Sequence, residues 1–279
     1  MQSRYFKRKL AQKAAFALSI LSAAAGMTVL FLILGYVVKK GATGLNLDFF
    51  IKTATPVGVP GGGMAHALLG SLYMVGLAGL FAIPVGLLVA VYLSEYGKGP
   101  FASFVRFMSE ALIGVPSIVV GLFAYTVLVF PLKRFSALAG AFALAFMMLP
   151  ILIKSAEELL RLVPQHLREA SLALGIPKWK TIIRVVLKTA LPGIVTAVML
   201  SVARVAGEAA PLLFTALGNS YLNLRLDQPM ASLPVQIYAY AISPYEDWHQ
   251  KAWTAALVLI LFVLCANLIG KLYARKYRY

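Results

Sequence analysis

Residues 169–193 read EASLALGIPKWKTIIRVVLKTALPG. Its first residues favour a short helix, and Gly175-Ile176-Pro177 predicts the turn that ends it. A basic amphipathic stretch follows and enters an apolar block at Leu191-Pro192-Gly193. We expect Gly175 to take a backbone conformation that other residues resist. On composition alone, however, a solvated loop between two apolar blocks would explain the stretch best.

Long apolar blocks lie on both sides of this stretch. The chain has 279 residues, of which 61% are hydrophobic and 13% charged, and its mean hydropathy is +0.83. A soluble domain of this length needs more polar cover, whereas roughly 20 helical residues cross the apolar core of a bilayer. Lipid offers the backbone no hydrogen-bond partners, so each block should be helical. We predict an all-α integral membrane protein with six transmembrane helices, at roughly 14–38, 67–93, 108–130, 137–153, 190–216 and 252–270.

The net charge of +16 raises the question of nucleic-acid binding, but the basic residues lie between the apolar blocks rather than on one soluble face. The two ends and alternate connections hold 18 Lys and Arg residues, and the other connections hold seven. Basic residues mark the cytoplasmic side of membrane proteins. We therefore predict a multi-pass membrane protein with both termini cytoplasmic, lipid around it and no nucleic-acid partner.

The order of residues in 169–193 resembles the EAA loop of ABC importer permeases. The matching residues are Glu169-Ala170, Gly175, Val185, Leu187 and Pro192-Gly193. The sequence departs from the family at Lys188, where many members have proline, and at Ser171, where the third alanine is expected. In that family the loop forms a coupling helix that docks on an ATPase subunit. The resemblance implies a type-1 ABC importer (MetI-like) permease fold, with Glu169, Ala170 and Gly175 linking the chain to an ATPase.

Four further segments resemble the phosphate branch of this family. They are GGGM at 61–64, GVPSIVVGLF at 114–123, GEAAPLLFT at 207–215 and SLPVQIY at 232–238. Together they are similar to the A-type permease subunits of high-affinity phosphate (Pst) importers. The resemblance implies a permease that moves inorganic phosphate across the inner membrane by alternating access. It also implies four partners: a second homologous permease, two ATPase subunits and an outer phosphate-binding protein.

The same resemblance implies that the chain is a transport subunit and not an enzyme. The sequence lacks the G-x-x-x-x-G-K-[ST] loop that cradles nucleotide phosphates. No cofactor is therefore expected on this chain, while ATP and Mg belong to the partner ATPases. The three histidines, His66, His166 and His249, are far apart in sequence, and we read them as interfacial residues outside the spans, with no metal role.

Other functions remain open on the sequence. Within the family, the solute is an alternative oxyanion such as sulfate, molybdate or phosphonate. Outside it, the chain is a passive anion channel or a membrane enzyme for lipid-linked substrates. The EAA loop disfavours a channel, because a channel has no ATPase to engage. An enzyme is disfavoured because the acidic residues are scattered and no pair has catalytic spacing.

The fifth apolar block carries two charges. Arg204 and Glu208 lie inside 190–216, four residues apart. On one continuous helix they share a face with Ser201 and Thr215, which predicts a polar stripe. A charged side chain at this depth costs roughly 2.5–3.5 kcal/mol on insertion scales, so it should face protein or water.

Two interpretations of this stripe stand: an Arg–Glu pair that locks helices together, or a path for an anion. Arginine's planar fork suits a tetrahedral oxyanion. Phosphate near neutral pH still carries a proton that Glu208 can accept as a hydrogen bond, whereas sulfate carries none and would be repelled. Lys154, at the inner end of the fourth span, extends the predicted path or snorkels to the interface.

We divide the chain into three parts. Residues 1–66 comprise an N-terminal cytoplasmic tail, the first transmembrane helix and an outer loop. Residues 67–270 form the transmembrane domain, with the cytoplasmic coupling loop at 155–189. Residues 271–279 form a basic cytoplasmic tail.

Overall fold

The computed structural model describes residues 2–276 apart from 57, 58 and 60. Helices account for most of this part of the chain. In order they are α1 Gln2–Gly41, α2 Leu47–Ile51, α3 Ala65–Val91, α4 Pro100–Gly114, α5 Ser117–Ala124, α6 Phe130–Leu132, α7 Ala137–Arg161, α8 Gln165–Ala173, α9 Lys178–Thr181, α10 Leu187–Ala206, α11 Ala210–Leu213, α12 Leu233–Ala241 and α13 Glu246–Lys276. Short π-helical turns at Tyr92–Tyr96, Tyr125–Val129 and Ile182–Val186 extend α3, join α5 to α6 and join α9 to α10.

The described residues contain five helices that are long and apolar enough to cross a membrane, and six crossings if a bent pair counts as one. The five are Arg4–Gly44, Ala65–Tyr96, Ala137–Arg161, Lys178–Ala206 and Glu246–Leu272. They contain the first, second, fourth and sixth predicted spans and most of the fifth. The all-α membrane fold predicted from the sequence is confirmed.

The third predicted span is wrong as a single helix. Between α4 and α5 the chain bends by 107°, inside the stretch 108–130 that the sequence analysis treated as continuous. Val115 and Pro116 are extended at the bend, with ψ of 129° and 136°. Proline has no N–H to donate and disfavours a helical residue before it, so the break follows from Pro116.

The fifth predicted span also ends early. α10 stops at Ala206, and Gly207 leaves the helix with φ −94° and ψ 0°. The chain then makes the short helix α11, with Pro211 in its first turn. The continuous helix predicted to residue 216 is therefore wrong beyond Ala206, which removes the periodicity that the polar stripe required.

The core lies where α3, α7 and α10 pack together with α11. Its buried side chains include Met74, Leu144, Met148, Val205 and Leu212. Small residues allow the helices to approach closely: a Cβ on buried Gly121 would stand 2.6 Å from the Cα of Pro211. This contact fixes α5 against α11, so the two interrupted segments of the bundle pack on each other.

α1 lies at the edge of the bundle and packs mainly against α13. Tyr36 and Trp253 meet edge-on with ring centroids 5.2 Å apart. Thr254 and Gln250 donate to the carbonyls of Gly41 and Lys40 at the end of α1. The most apolar part of α1 is otherwise exposed, as expected for a helix surrounded by lipid.

The segment boundaries differ in detail from those drawn on the sequence. α7 runs on to Arg161, so the start of the 155–189 segment is helical and continuous with the fourth span. α13 continues to Lys276, so most of the predicted basic tail is also helical, while residues 277–279 lie outside the described part. In the predicted outer loop, residues 57, 58 and 60 lie outside it too.

Candidate functional site

Arg204 and Glu208 form an ion pair at the end of α10. Arg204 Nε lies 3.3 Å from Glu208 Oε1, although Glu208 stands just beyond the helix. Its backbone N–H still donates to the carbonyl of Val205, which keeps the carboxylate below the guanidinium. The Arg204 side chain is 62% exposed and that of Glu208 is 17% exposed. The guanidinium therefore lies on the surface of this subunit, where its ion pair with the carboxylate holds it in place.

The predicted polar stripe does not form, because Ser201 and Thr215 are buried away from this pair. Ser201 Oγ donates to the carbonyl of Val198 at 2.8 Å. Thr215 Oγ1 donates to the carbonyl of Pro211 at 2.8 Å. Each hydroxyl therefore donates its hydrogen bond to a backbone carbonyl three or four residues earlier in the chain. Of the four residues of the stripe, the structure brings together only Arg204 and Glu208.

Lys154 and Arg204 line the same cavity. This cavity has a volume of about 390 Å³ and lies between the bend of α4 and α5 and the helices α7 and α10. Its walls are mostly apolar, with Lys154, Ser155, Glu158 and Arg204 as polar members. The Lys154 ammonium lies 3.0 Å from Glu110 Oε1 on α4. The cavity therefore carries two cations, each paired with a carboxylate, on an open apolar surface.

The coupling segment, residues 165–181 of the predicted coupling loop, forms a helix and a turn, as predicted. α8 ends at Ala173, and Gly175 has φ of +76°, the left-handed region that L side chains rarely adopt. The predicted unusual backbone at Gly175 is confirmed. Glu169 and Ala170 are exposed in the middle of α8.

Two buried carboxylates near this segment, Glu95 and Glu157, are not among the residues predicted from the sequence. Glu95 Oε1 lies 2.7 Å from Arg168 Nη2. Glu157 accepts from Arg106 Nε at 2.7 Å and from Arg161 Nη2 at 2.6 Å. The i,i+4 spacing of Glu157 and Arg161 was visible in the sequence. The other two pairs join residues far apart in sequence, and no local pattern signals them.

The histidines differ from one another in their surroundings. His66 lies in the first turn of α3 and is 2% exposed, so its reading as an interfacial residue outside the spans is wrong. His249 Nε2 lies 2.6 Å from the carbonyl of Ser243, and His166 is exposed. Within the described ranges, no group of three His, Cys, Asp or Glu residues is arranged to hold a metal ion.

A second large cavity lies at the opposite end of α10 from the coupling segment. It has a volume of about 650 Å³ and is lined by residues of the 52–56 loop, the 217–221 loop, α12 and Trp248. Tyr240 and Trp248 stack beside it with centroids 4.4 Å apart. In the neighbouring loop, the hydrogen bond from Arg225 lowers the pKa of the Asp227 carboxyl below its ordinary value. This end of the protein is therefore a folded surface with aromatic lining rather than a bare connection.

A bundle of apolar helices with interrupted spans, a charged cavity and an exposed short helix, α8, is the architecture expected of a membrane permease. Residues 82–279 match the family described as binding-protein-dependent transport system inner membrane component. The chain is 43% identical to the phosphate transport system permease protein PstA of Haemophilus influenzae, over 97% of this chain and 96% of the relative. It is 45% identical to that of Xylella fastidiosa (strain Temecula1), over 96% and 93%. The chain belongs to the family of binding-protein-dependent transport system inner membrane components, in its PstA branch.

Solved structures share the fold at low sequence identity. A chain of the MetNI methionine ABC transporter, in an inward facing conformation, aligns with a TM-score of 0.66 and 20% identity, over 77% of this chain and 96% of that one. A chain of a bacterial ABC transporter for the acidic polysaccharide alginate aligns with a TM-score of 0.63 and 13% identity, over 96% and 99%. The predicted MetI-like importer fold is confirmed.

Proposed function

We propose that this chain is the A-type membrane subunit of an ATP-driven importer that carries inorganic phosphate into the cell. The observation that carries the proposal is the full-length similarity to permeases named for phosphate transport, which spans nearly all of both chains. The presence of the coupling helix supports an ATP-driven pump over a passive channel. ATP and Mg²⁺ then act on separate ATPase subunits, and this chain performs no hydrolysis.

The importer contains this chain, a second homologous permease, two ATPase subunits and an outer phosphate-binding protein. The exposed helix α8 and the Gly175 turn supply the docking element for an ATPase. The distribution of basic residues among the connections supports a cytoplasmic location for this element and for both termini. The cavity lined by Tyr221, Gln236 and Trp248 then lies on the outer side, where a soluble binding protein can dock.

Arg204 is the residue we assign to the phosphate path, with Lys154 at the same cavity and Glu208 holding the guanidinium. Among the described residues, Arg204 makes its side-chain hydrogen bond through Nε alone, which leaves the two terminal nitrogens for a ligand. Its exposure on an apolar helix requires cover by the partner permease or by water. A guanidinium at such a protein interface suits bidentate recognition of an oxyanion.

The test is phosphate uptake by the assembled complex in vesicles. We expect Arg204→Gln to abolish uptake of radiolabelled phosphate while the complex still assembles. Glu208→Gln should weaken discrimination against sulfate, or stop transport if the pair is needed for gating. Arg225→Gln is the matched control, because Arg225 is also an exposed arginine paired with a carboxylate but lies in a loop. Unchanged uptake in Arg204→Gln would return the pair to a structural role, and wild-type transport of sulfate instead of phosphate would overturn the substrate.

A further inference from the structure

One stretch of the chain binds the coupling segment from both sides of its turn. This stretch is the π-helical turn Tyr92–Tyr96 at the end of α3. Glu95 within it receives Arg168 from α8: Nε lies 3.2 and 3.3 Å from the two carboxylate oxygens, and Nη2 lies 2.7 Å from Oε1. The side chains are only 6% and 13% exposed. A fork that engages both oxygens fixes the orientation of α8 relative to the end of α3.

The same guanidinium also closes the end of α7. Arg168 Nη2 donates to the carbonyl of Leu160 at 2.9 Å, and Nη1 donates to the carbonyl of Val163. Leu160 lies in the last turn of α7 and Val163 just beyond it, so these bonds attach the guanidinium to the end of α7. Arg168 therefore joins α8 both to α3 and to α7.

Lys178 makes the corresponding contact from the far side of the Gly175 turn. Its ammonium donates to the carbonyl of Glu95 at 2.6 Å and lies 4.1 Å from the centroid of the Tyr96 ring. Between the two sides, the hydroxyls of Ser171 and Thr181 are hydrogen-bonded at 2.8 Å and buried. Both ends of the segment are thus tied to residues 95 and 96 and to each other.

The tip of the segment is free of such ties. Leu174, next to the turn, is 80% exposed, so its apolar side chain is accessible to a partner. The segment therefore combines an exposed tip with a root that is fixed to the bundle. A displacement of the tip is transmitted to the end of α3, because the charge-assisted bonds of Arg168 and Lys178 join the segment to Glu95.

We infer that Glu95 and Arg168 are positioning residues that make the coupling helix α8 and the second membrane span α3 move as one body during the transport cycle. Neither residue is assigned to the phosphate path. The inference rests on the proposed function, because it requires an ATPase that moves the tip. Separating a buried ion pair leaves an uncompensated charge in the protein, so the pair resists opening when the tip is displaced. α3 packs along α7 in the core, so its movement is passed on to the cavity that contains Lys154.

The experiment measures whether α8 and α3 keep their distance when nucleotide binds. Spin labels are placed on His166→Cys and Leu88→Cys, both exposed, in the complete complex carrying Cys265→Ser. Distances between the labels are measured by double electron–electron resonance, without nucleotide and with nucleotide trapped by vanadate. We expect a narrow distance distribution that is the same in both states. With Arg168→Gln we expect the distance to broaden or shift between the states.

The functional readout is the amount of phosphate moved per ATP hydrolysed. For Arg168→Gln we expect this ratio to fall several-fold, while ATP hydrolysis continues. Glu95→Gln, which keeps the shape of the side chain, should lower the ratio in the same direction and serves if Arg168→Gln does not assemble. Arg184→Gln is the matched control, since Arg184 is an exposed arginine just beyond the same segment with no ion pair among the described residues.

Two results would overturn the inference. A distance that changes on nucleotide binding in the unmodified pair would show that α8 and α3 move separately. An unchanged distance and an unchanged transport ratio in both Arg168→Gln and Glu95→Gln would reduce the ion pair to a purely structural role. The proposed function fails by a different result, the absence of phosphate uptake by the wild-type complex, and the label distances are independent of the solute.

Discussion

Replacing Gly175 separates the backbone conformation of the coupling turn from the space around it. A Cβ built on Gly175 meets no other atom within 4 Å, so a larger side chain causes no clash inside this subunit. The φ of +76° is the remaining obstacle. An L residue in the left-handed conformation costs roughly 1–2 kcal/mol, but asparagine adopts it routinely as a single residue. Gly175→Val should therefore distort the turn, and Gly175→Asn should keep it.

The size of the effect follows from that penalty. A cost of about 1–2 kcal/mol changes the population of the correct turn by a factor of roughly 5–30. We expect the phosphate uptake of Gly175→Val complexes to fall by this factor or more, while the subunit still inserts and assembles. Gly175→Asn should retain most of the uptake, because the turn survives. Uptake measures transport, ATP hydrolysis measures the activity of the ATPase, and recovery of the ATPase with the purified complex measures assembly.

Gly61 provides the control for a general backbone effect. It has φ of +90° and open space around it, like Gly175, but it belongs to the loop before α3. Gly61→Val should lower thermal stability without uncoupling ATP hydrolysis from uptake. If Gly175→Asn and Gly175→Val lost uptake equally, the size of the side chain against the ATPase would be the cause and the argument from φ would be refuted. Normal uptake in Gly175→Val would remove the coupling role altogether.

Three further predictions concern topology and packing. Reporter fusions after Lys40 should be active outside the cell and fusions after Lys98 inside, because basic connections mark the cytoplasmic side. Gly121→Ala should lower the free energy of unfolding by about 1–3 kcal/mol, since its Cβ would stand 2.6 Å from the backbone of Pro211. Glu157→Gln should lower it by about 1.5–3 kcal/mol, the usual worth of hydrogen bonds to charged groups. Thermal unfolding of the purified subunit in detergent measures both losses.

Each of these has a counterpart that should behave differently. Gly76→Ala meets no atom within 4 Å and should leave the unfolding temperature nearly unchanged. Asp48→Asn removes an exposed ion pair with Lys52 and should cost less than ~1 kcal/mol. Equal losses in the paired variants would contradict the packing argument, and a fusion after Lys40 that is active only inside would contradict the topology.

The sequence predicted the helices well because membrane insertion depends on local composition. Each crossing needs a long apolar run, and such runs are visible without any knowledge of neighbours. The breaks at Pro116 and Gly207 were also present in the sequence as ordinary turn residues. Hydropathy does not predict these breaks, because the apolar run continues through both residues and carries no information on where a helix bends.

The candidate site could be predicted only where it depends on one segment. Gly175 was identified from its own turn, and Arg204 and Glu208 from their spacing. The ion pair of Glu95 and Arg168 joins residues 73 positions apart, and the side chains meet only when α3 and α8 have packed. The hydroxyls of Ser201 and Thr215 failed as site residues for the opposite reason, because both found partners in their own backbone.

The contact between α1 and α13 has a consequence for how the chain is made. α1 leaves the ribosome before α13, the helix on which it packs, and the carbonyls of Lys40 and Gly41 accept from Gln250 and Thr254, more than 200 residues later in the chain. Contacts of such long sequence separation form late. During synthesis, lipid or the insertion machinery must therefore cover the face of α1 that later contacts α13. A chain that has not yet made α13 has no protein partner for this face of α1.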